Sequence, residues 1–420
     1  MFTRKKLSLA ICTTLLLSGC SSFGYGVAEA ILDQQKQSDD RLCQITGQAF
    51  TGLEPFLNDG LKVLMVHGIG QHGPGYSAEF LGKLSAEMGL VKKSPGFKTI
   101  DLTDPLDISK NLGSVRVHHY FDAQANKSLL FYELVWSVIT EEAKKVIAYD
   151  STGEYSHRRA TINNLLKNFS NDTLPDSFLY LGDHREDILI SFTQAYCWMV
   201  AENWSGLAQH TASACDFNTQ GFNTNLQNNH YAFVSHSLGS RITIDGLQRI
   251  ARLTGSNTDI YRGPLKKPRT AVQILKQKNT SIFMLANQLP VLQLGRKKAE
   301  VTQQYKDYCL EDGKHYPERM YKSTEIIAFN DPNDIASYPI PYNFSKQFLD
   351  SRLCINTSNV DINIADVVDF LGLGTAANPL TAHSGYQSDD RVIALIAKGI
   401  GSKNTADIIN TRCKWIEETD

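Results

Sequence analysis

Residues 231–240 read Tyr231-Ala232-Phe233-Val234-Ser235-His236-Ser237-Leu238-Gly239-Ser240. An apolar, strand-like run enters this stretch. A helix-like stretch leaves it, from Arg241 to Leu253, with Ile242, Ile244, Leu247 and Ile250 at helical spacing. Small residues flank Ser237. A serine on a sharp strand-to-helix turn is held out over the edge of a sheet, and the N–H after it is free to face a reacting group. The pattern is G-x-S-x-G with Ser235 in the first glycine position.

Working outward, apolar runs at Leu61–Val66, Val115–Val117, Leu129–Leu134, Ile282–Ala286 and Glu325–Phe329 predict strands, with a last short strand at Asp361–Ile364. Between them, Tyr76–Leu90, Asp187–Val200 and Asp389–Lys398 predict helices. Strands separated by helical stretches indicate an α/β protein with a mostly parallel central sheet and helices on both faces. Residues from about 100 to 227 are too many for one crossover, so part of them is expected as a cap or insertion before the strand that carries Ser237. Asp187–Val200 is densely apolar and about the length of a buried or lid helix rather than a membrane span.

A serine needs a base, an orienting acid and donors for an oxyanion. After the first strong strand comes His67-Gly68-Ile69-Gly70, a turn that lets a backbone N–H approach an oxyanion. The expected donors are the N–H groups of Ile69 and Leu238. Gly68, Gly70 and Gly73 also spell G-x-G-x-x-G, a dinucleotide fingerprint, but Pro74 and Gly75 delay the helix that would face a pyrophosphate. After a late strand, Asp331 and Asp334 compete as the acid in Asn330-Asp331-Pro332-Asn333-Asp334-Ile335; Asp331-Pro332 has the look of a turn former, and Asp334 is preferred. Among eleven histidines, His383 sits between the last expected strand and the terminal helix. His236 adjoins the serine and would point away from it. His118 and His119 fall in the insertion.

Ser237, Asp334 and His383 run in the chain order Ser, Asp, His. With the glycine turn and the strand-turn-helix, the set resembles an α/β-hydrolase of the lipase/esterase kind, over roughly residues 61–400 less the insertion. Asn333-Asp334-Ile335 resembles the stretch around the acid of many lipases. The resemblance implies a serine hydrolase acting on carboxylic esters, small-molecule or lipid, with no metal or cofactor. A catalytically silent lipoprotein scaffold or binding module is the alternative.

The ends add a location. Arg4, Lys5 and Lys6 precede an apolar Leu7–Leu17 too short to span a bilayer. Leu17-Ser18-Gly19-Cys20 resembles the lipobox of bacterial lipoproteins. That resemblance implies a signal peptide over 1–19, acylation of Cys20, a tether over 20–40 and a folded domain over 41–416, held at a membrane of the bacterial cell envelope. Ser21 after the cysteine favours the outer membrane for a Gram-negative source. An ordinary cleaved signal is the competing reading. Of eight cysteines, six remain past Cys12 and Cys20. An even number in an oxidising compartment predicts disulfides, with fifteen pairings open. The net charge of -2 gives no sign of nucleic-acid binding, and no C-x-x-C or H-E-x-x-H motif indicates a metal. Oligomeric state is left open.

Overall fold

Alternation on one strand shows how the sheet is covered. Along Leu61–Val66, Leu64 and Val66 join one buried cluster while Val63 and Met65 join another. An apolar run without polar alternation suits a strand buried on both faces. The computed structural model describes residues 43–416 except 123, 125, 152–158, 208–213, 216–220, 256–268, 370–374 and 402. The expected signal peptide, Cys20 and the tether lie outside the described residues.

The strands are β1 (Cys43–Gly47), β2 (Leu61–Val66), β3 (Val91–Asp104), β4 (Asp107–Asp122), β5 (Lys127–Val135), β6 (His230–His236), β7 (Asn279–Leu285), β8 (Ser323–Asn330), β9 (Ile355–Ile362), β10 (Val367–Asp369), β11 (Thr375–Ala377) and β12 (Lys414–Ile416). Ten of them form one sheet in the order β12-β1-β9-β8-β7-β6-β2-β5-β4-β3, and β10 pairs with β11 apart from it. From β9 to β5 the neighbours are parallel. β4 and β3 continue the sheet antiparallel, as does β1 beside β9.

Helices α1 (Ala78–Glu87), α2 (Val138–Ala148), α3 (Thr161–Leu181), α4 (Arg185–Ala201), α5 (Leu238–Gly255), α6 (Pro379–Ser384) and α7 (Asp390–Lys398) carry the rest of the argument. α4 and α5 pack on one face, α1 and α7 on the other. The α/β architecture with helices on both faces is as the periodicity indicated. α4 spans the dense apolar run; Ile188, Leu189, Phe192 and Met199 are fully buried in the cluster it shares with α5 and the sheet, so this helix is core.

The stretch expected as an insertion divides. Its first part is sheet: β4 and β5 carry the strands that the runs Val115–Val117 and Leu129–Leu134 predict, and with β3 they extend the sheet outward. β3 begins Val-Lys-Lys-Ser-Pro-Gly, a polar edge that carries no apolar run to mark it. Among the described residues, the remainder holds α2, α3, α4 and a short helix over Phe222–Asn228. The last strand of the large parallel set is Ile355–Ile362 rather than 361–364, and its half-polar sequence, with alternating burial, hides it.

All six described cysteines pair, as Cys43–Cys413, Cys197–Cys215 and Cys309–Cys354. Among the described residues, no helix is long and apolar enough to cross a membrane.

Candidate active site

From β2 the chain goes to α1 on one face and returns through β5 on one side. From β6 it goes to α5 on the other face and on to β7, β8 and β9 on the other side. The topology therefore switches between β2 and β6, and open α/β sheets hold ligands at the carboxyl ends of strands at such a point. The turns after β2 and β6 meet here.

Ser237 occupies the turn between β6 and α5 with φ 56, a left-handed conformation that a non-glycine residue holds only under constraint. Its N–H donates to Leu285 O at 2.9 Å and its carbonyl accepts from Ser240 N–H at 3.0 Å. Close approach enforces the small neighbours. A Cβ on Gly239 would lie 2.3 Å from Val66 O, and one on Gly68 would lie 2.6 Å from Ser237 Cβ and 2.9 Å from His236 O. Ser235, in the first glycine position, is buried, and its hydroxyl has no partner among the described residues.

His383 sits on α6 and brings the pieces together. Its Nε2 is 3.0 Å from Ser237 Oγ, and its Nδ1 is 3.0 and 2.9 Å from the two oxygens of Asp334. The Asp334 side chain is fully buried and also accepts Ala336 N–H at 2.9 Å. Burial opposes the charge on Asp334, but the His383 contact and the Ala336 N–H outweigh it and hold the carboxyl below its usual range. The imidazole meets Asp334 and not Asp331. The Asp331 carboxylate is taken up by the N–H groups of Ile364, Ala365 and Asn333 at 2.7, 2.9 and 2.7 Å, so it pins a turn.

Among the described residues His236 makes no hydrogen bond to Ser237 Oγ, and its ring has a use that sequence reading missed. Its Nε2–H donates to the His383 carbonyl at 2.8 Å, and the two rings meet edge to face at 5.1 Å. Burial, with His383 beside it, pushes the His236 pKa down to about 3, so this ring is a neutral strut for α6.

The turn after β2 is held peptide by peptide. Trp136 N–H can only donate, so His67 Nε2, 3.2 Å away, is the acceptor; the proton is on Nδ1 and is donated to Gly68 O at 2.8 Å. Burial first, and the nearby His72, keep His67 well below the usual histidine range and therefore neutral. His72 Nε2 lies 3.1 Å from Ile69 O. Asp176 on α3 accepts Gly70 N–H at 2.7 Å, and is itself held by Thr140 Oγ1 at 2.7 Å and the Lys144 ammonium. Glu133 on β5 accepts the N–H groups of Gly75 and Ser77. Ile69 N–H is among those left over. It and Leu238 N–H, at the start of α5, carry no hydrogen bond among the described residues. A trans peptide directs Ile69 N–H opposite to the Gly68 carbonyl that His67 holds. Both expected donors are thus beside Ser237 and uncommitted.

The same geometry disfavours a dinucleotide. Gly70 N–H inside the fingerprint, and the Gly75 and Ser77 N–H groups that lead into α1, are already given to two buried carboxylates, Asp176 and Glu133, which would repel a pyrophosphate. Among the described residues no three His, Cys, Asp or Glu side chains are grouped so as to hold a metal ion. His118 and His119 lie on β4, buried; burial first, with Lys92 and Arg116 near His118 and Lys93 near His119, pushes each down to about 4.

In comparisons with known proteins, no family model, no curated protein and no solved structure matches this chain.

Proposed function

We propose that this chain is a serine hydrolase of the α/β-hydrolase kind that cleaves carboxylic esters through an acyl-enzyme. The observation that carries the reading is the unbroken contact from Ser237 Oγ to His383 Nε2 and from His383 Nδ1 to Asp334, at the carboxyl ends of parallel strands. In this scheme His383 takes the Ser237 proton as Oγ attacks the ester carbonyl. Asp334 fixes the imidazole tautomer and stabilises the imidazolium. The N–H groups of Ile69 and Leu238 receive the oxyanion. His383 then returns the proton to the leaving alcohol, and water repeats the sequence on the acyl-enzyme. The chemistry needs no metal or cofactor.

Apolar side chains close to these residues support an ester with an apolar acyl or alkyl part. Ile335, next to Asp334, is 82% exposed; Leu380, on the helix of His383, 52%; Phe178, on the helix of Asp176, 71%. Exposed apolar side chains of this kind would suit an apolar ligand or lipid. The lipobox-like Cys20 and the three disulfides support an anchored place in the cell envelope, on the outer membrane if the source is Gram-negative.

A fluorophosphonate probe tests the reading. Wild type should be labelled, and Ser237→Ala should not. A folded wild type that resists labelling would make the chain a silent binding or scaffold module instead. Cys20→Ser should release the protein from membranes or block its maturation; an unchanged membrane fraction of correct mature size would remove the lipid anchor.

A further inference from the structure

One turn beyond Ser237 on α5, the buried Arg241 opens a second polar centre. Asp245, one turn further, accepts from three guanidiniums: Arg241 Nη2 at 2.6 Å, Arg296 Nη2 at 2.6 Å and Arg185 Nη2 at 3.0 Å. Tyr180 hydroxyl adds a fourth bond at 2.7 Å. Burial works against the Asp245 charge, yet the three arginines hold its carboxyl far below the usual range. One carboxylate against three guanidiniums leaves two positive charges in excess.

The hydrogen bonds are also incomplete. Nε of Arg185, Nε of Arg241 and Nη1 of Arg296 are buried and have no partner among the described residues. Buried donors are rarely left so. All three arginines line a cavity of about 530 Å³, which Lys297 and Lys298 also face. Six cationic side chains line it against three carboxylates, and one of those, Asp350, is already engaged by Arg352 at 2.9 and 2.6 Å. An internal brace for the helices would account for the three bonds to Asp245. It would not account for the excess of cations along the cavity or for the two lysines.

We propose that this cavity binds a phosphate-class oxyanion, held by Arg241, Arg296 and Arg185 and drawn in by Lys297 and Lys298. A tetrahedral oxyanion offers several acceptor oxygens that match the guanidinium fork, so it suits the excess positive charge that lines the cavity. The rise of α5 puts Arg241 only about 6 Å along its axis from Ser237, so the site neighbours the serine without sharing its residues. It does not depend on the hydrolase reading. Two sources share this chemistry: free inorganic phosphate, and the phosphoryl group of an organic phosphate.

Titration calorimetry on the full chain tests this with inorganic phosphate and with sn-glycerol 3-phosphate, against sodium chloride at equal ionic strength. We expect one saturable site and a raised melting temperature. Arg296→Gln should weaken binding by about tenfold or more. Lys297→Gln with Lys298→Gln, both exposed, should weaken it severalfold without lowering the melting temperature, which keeps the test open if the arginine variant fails to fold. Ser237→Ala should bind as wild type does, so a failure of the hydrolase reading leaves this result readable. Glycerol phosphate binding about tenfold tighter than phosphate identifies an organic phosphate as the source, and equal affinity identifies the free ion. No saturable binding of either anion up to about 10 mM, or affinity unchanged in the lysine variant, overturns the proposal.

Discussion

Gly68→Ala separates the close-packed serine turn from every other use of the glycines after β2. A Cβ at Gly68 would stand 2.6 Å from Ser237 Cβ, 2.9 Å from His236 O and 3.1 Å from Ser237 Oγ, whereas ordinary contact begins near 3.4 Å. Two of these are main-chain or stem atoms that no rotamer can move aside. The serine or the 68–69 peptide must therefore retreat by roughly 0.8 Å. If the serine moves, its 3.0 Å contact with His383 is lost from line, and a misplacement of about 1 Å costs on the order of 10² in rate. If the peptide moves, Ile69 N–H leaves the place proposed for the oxyanion, a loss worth roughly 10²–10³. Either way kcat/KM on a short-chain p-nitrophenyl ester should fall about 10²- to 10³-fold. Overpacking should cost about 1–3 kcal/mol of stability, leaving the chain folded at 25 °C. Gly73→Ala is the internal control, since its Cβ would meet nothing within 4 Å and its φ is not positive; it should be nearly silent. Gly70→Ala has room but a φ of 99, so it should lose stability chiefly through backbone strain. The reasoning fails if folded Gly68→Ala keeps activity within about threefold of wild type, or if Gly73→Ala loses as much.

Asp334→Asn should lower kcat by orders of magnitude with a small change in melting temperature, whereas Asp331→Asn should chiefly lower the melting temperature because three main-chain N–H groups depend on it; kinetics and melts on both variants decide between them. Trp198→Ala should cost about 3–5 kcal/mol of stability without changing acyl-chain preference, since α4 is core; a stable variant with altered preference would return that helix to the substrate. On acidification, His236 and His230, pushed by burial to about 3 and about 4, stay neutral in the folded chain while the unfolded chain takes up protons. Their contribution is present above the ordinary histidine pKa and is lost as pH falls from about 6.5 toward 4; denaturant midpoints across that range should fall, and a flat profile would contradict it. Lys62, buried in β2 with its ammonium on the carbonyls of Met199 and Glu202, is pushed by burial down to about 7. Between pH 7 and 9 the unfolded chain then binds more protons, so stability should rise by up to roughly 1.4 kcal/mol per pH unit, and Lys62→Met should flatten that slope.

The sequence by itself determined the features that are written locally. β2, β5, β7 and β8 are apolar runs because each is buried on both faces, and no neighbour is needed to read them. Ser237 is legible because a strained turn between strand and helix demands small residues on either side. Asp334 and His383 are legible because each follows from its place in a chain order. Tertiary structure alone decided the rest. β3, and β4 before its Val115–Val117 run, are sheet because they add to an exposed edge, and their polar sequence resembles a loop. Asp176 holds Gly70, 106 residues away, and Glu133 holds Gly75, 58 residues away. Arg185 and Arg296 meet Asp245 from either side in the chain. The choice of one disulfide pairing among fifteen belongs with these. Local backbone strain and two-sided burial restrict residue types position by position, so they leave a pattern. A buried carboxylate restricts only what packs against it, and which segment that is depends on how the whole sheet closes around the site.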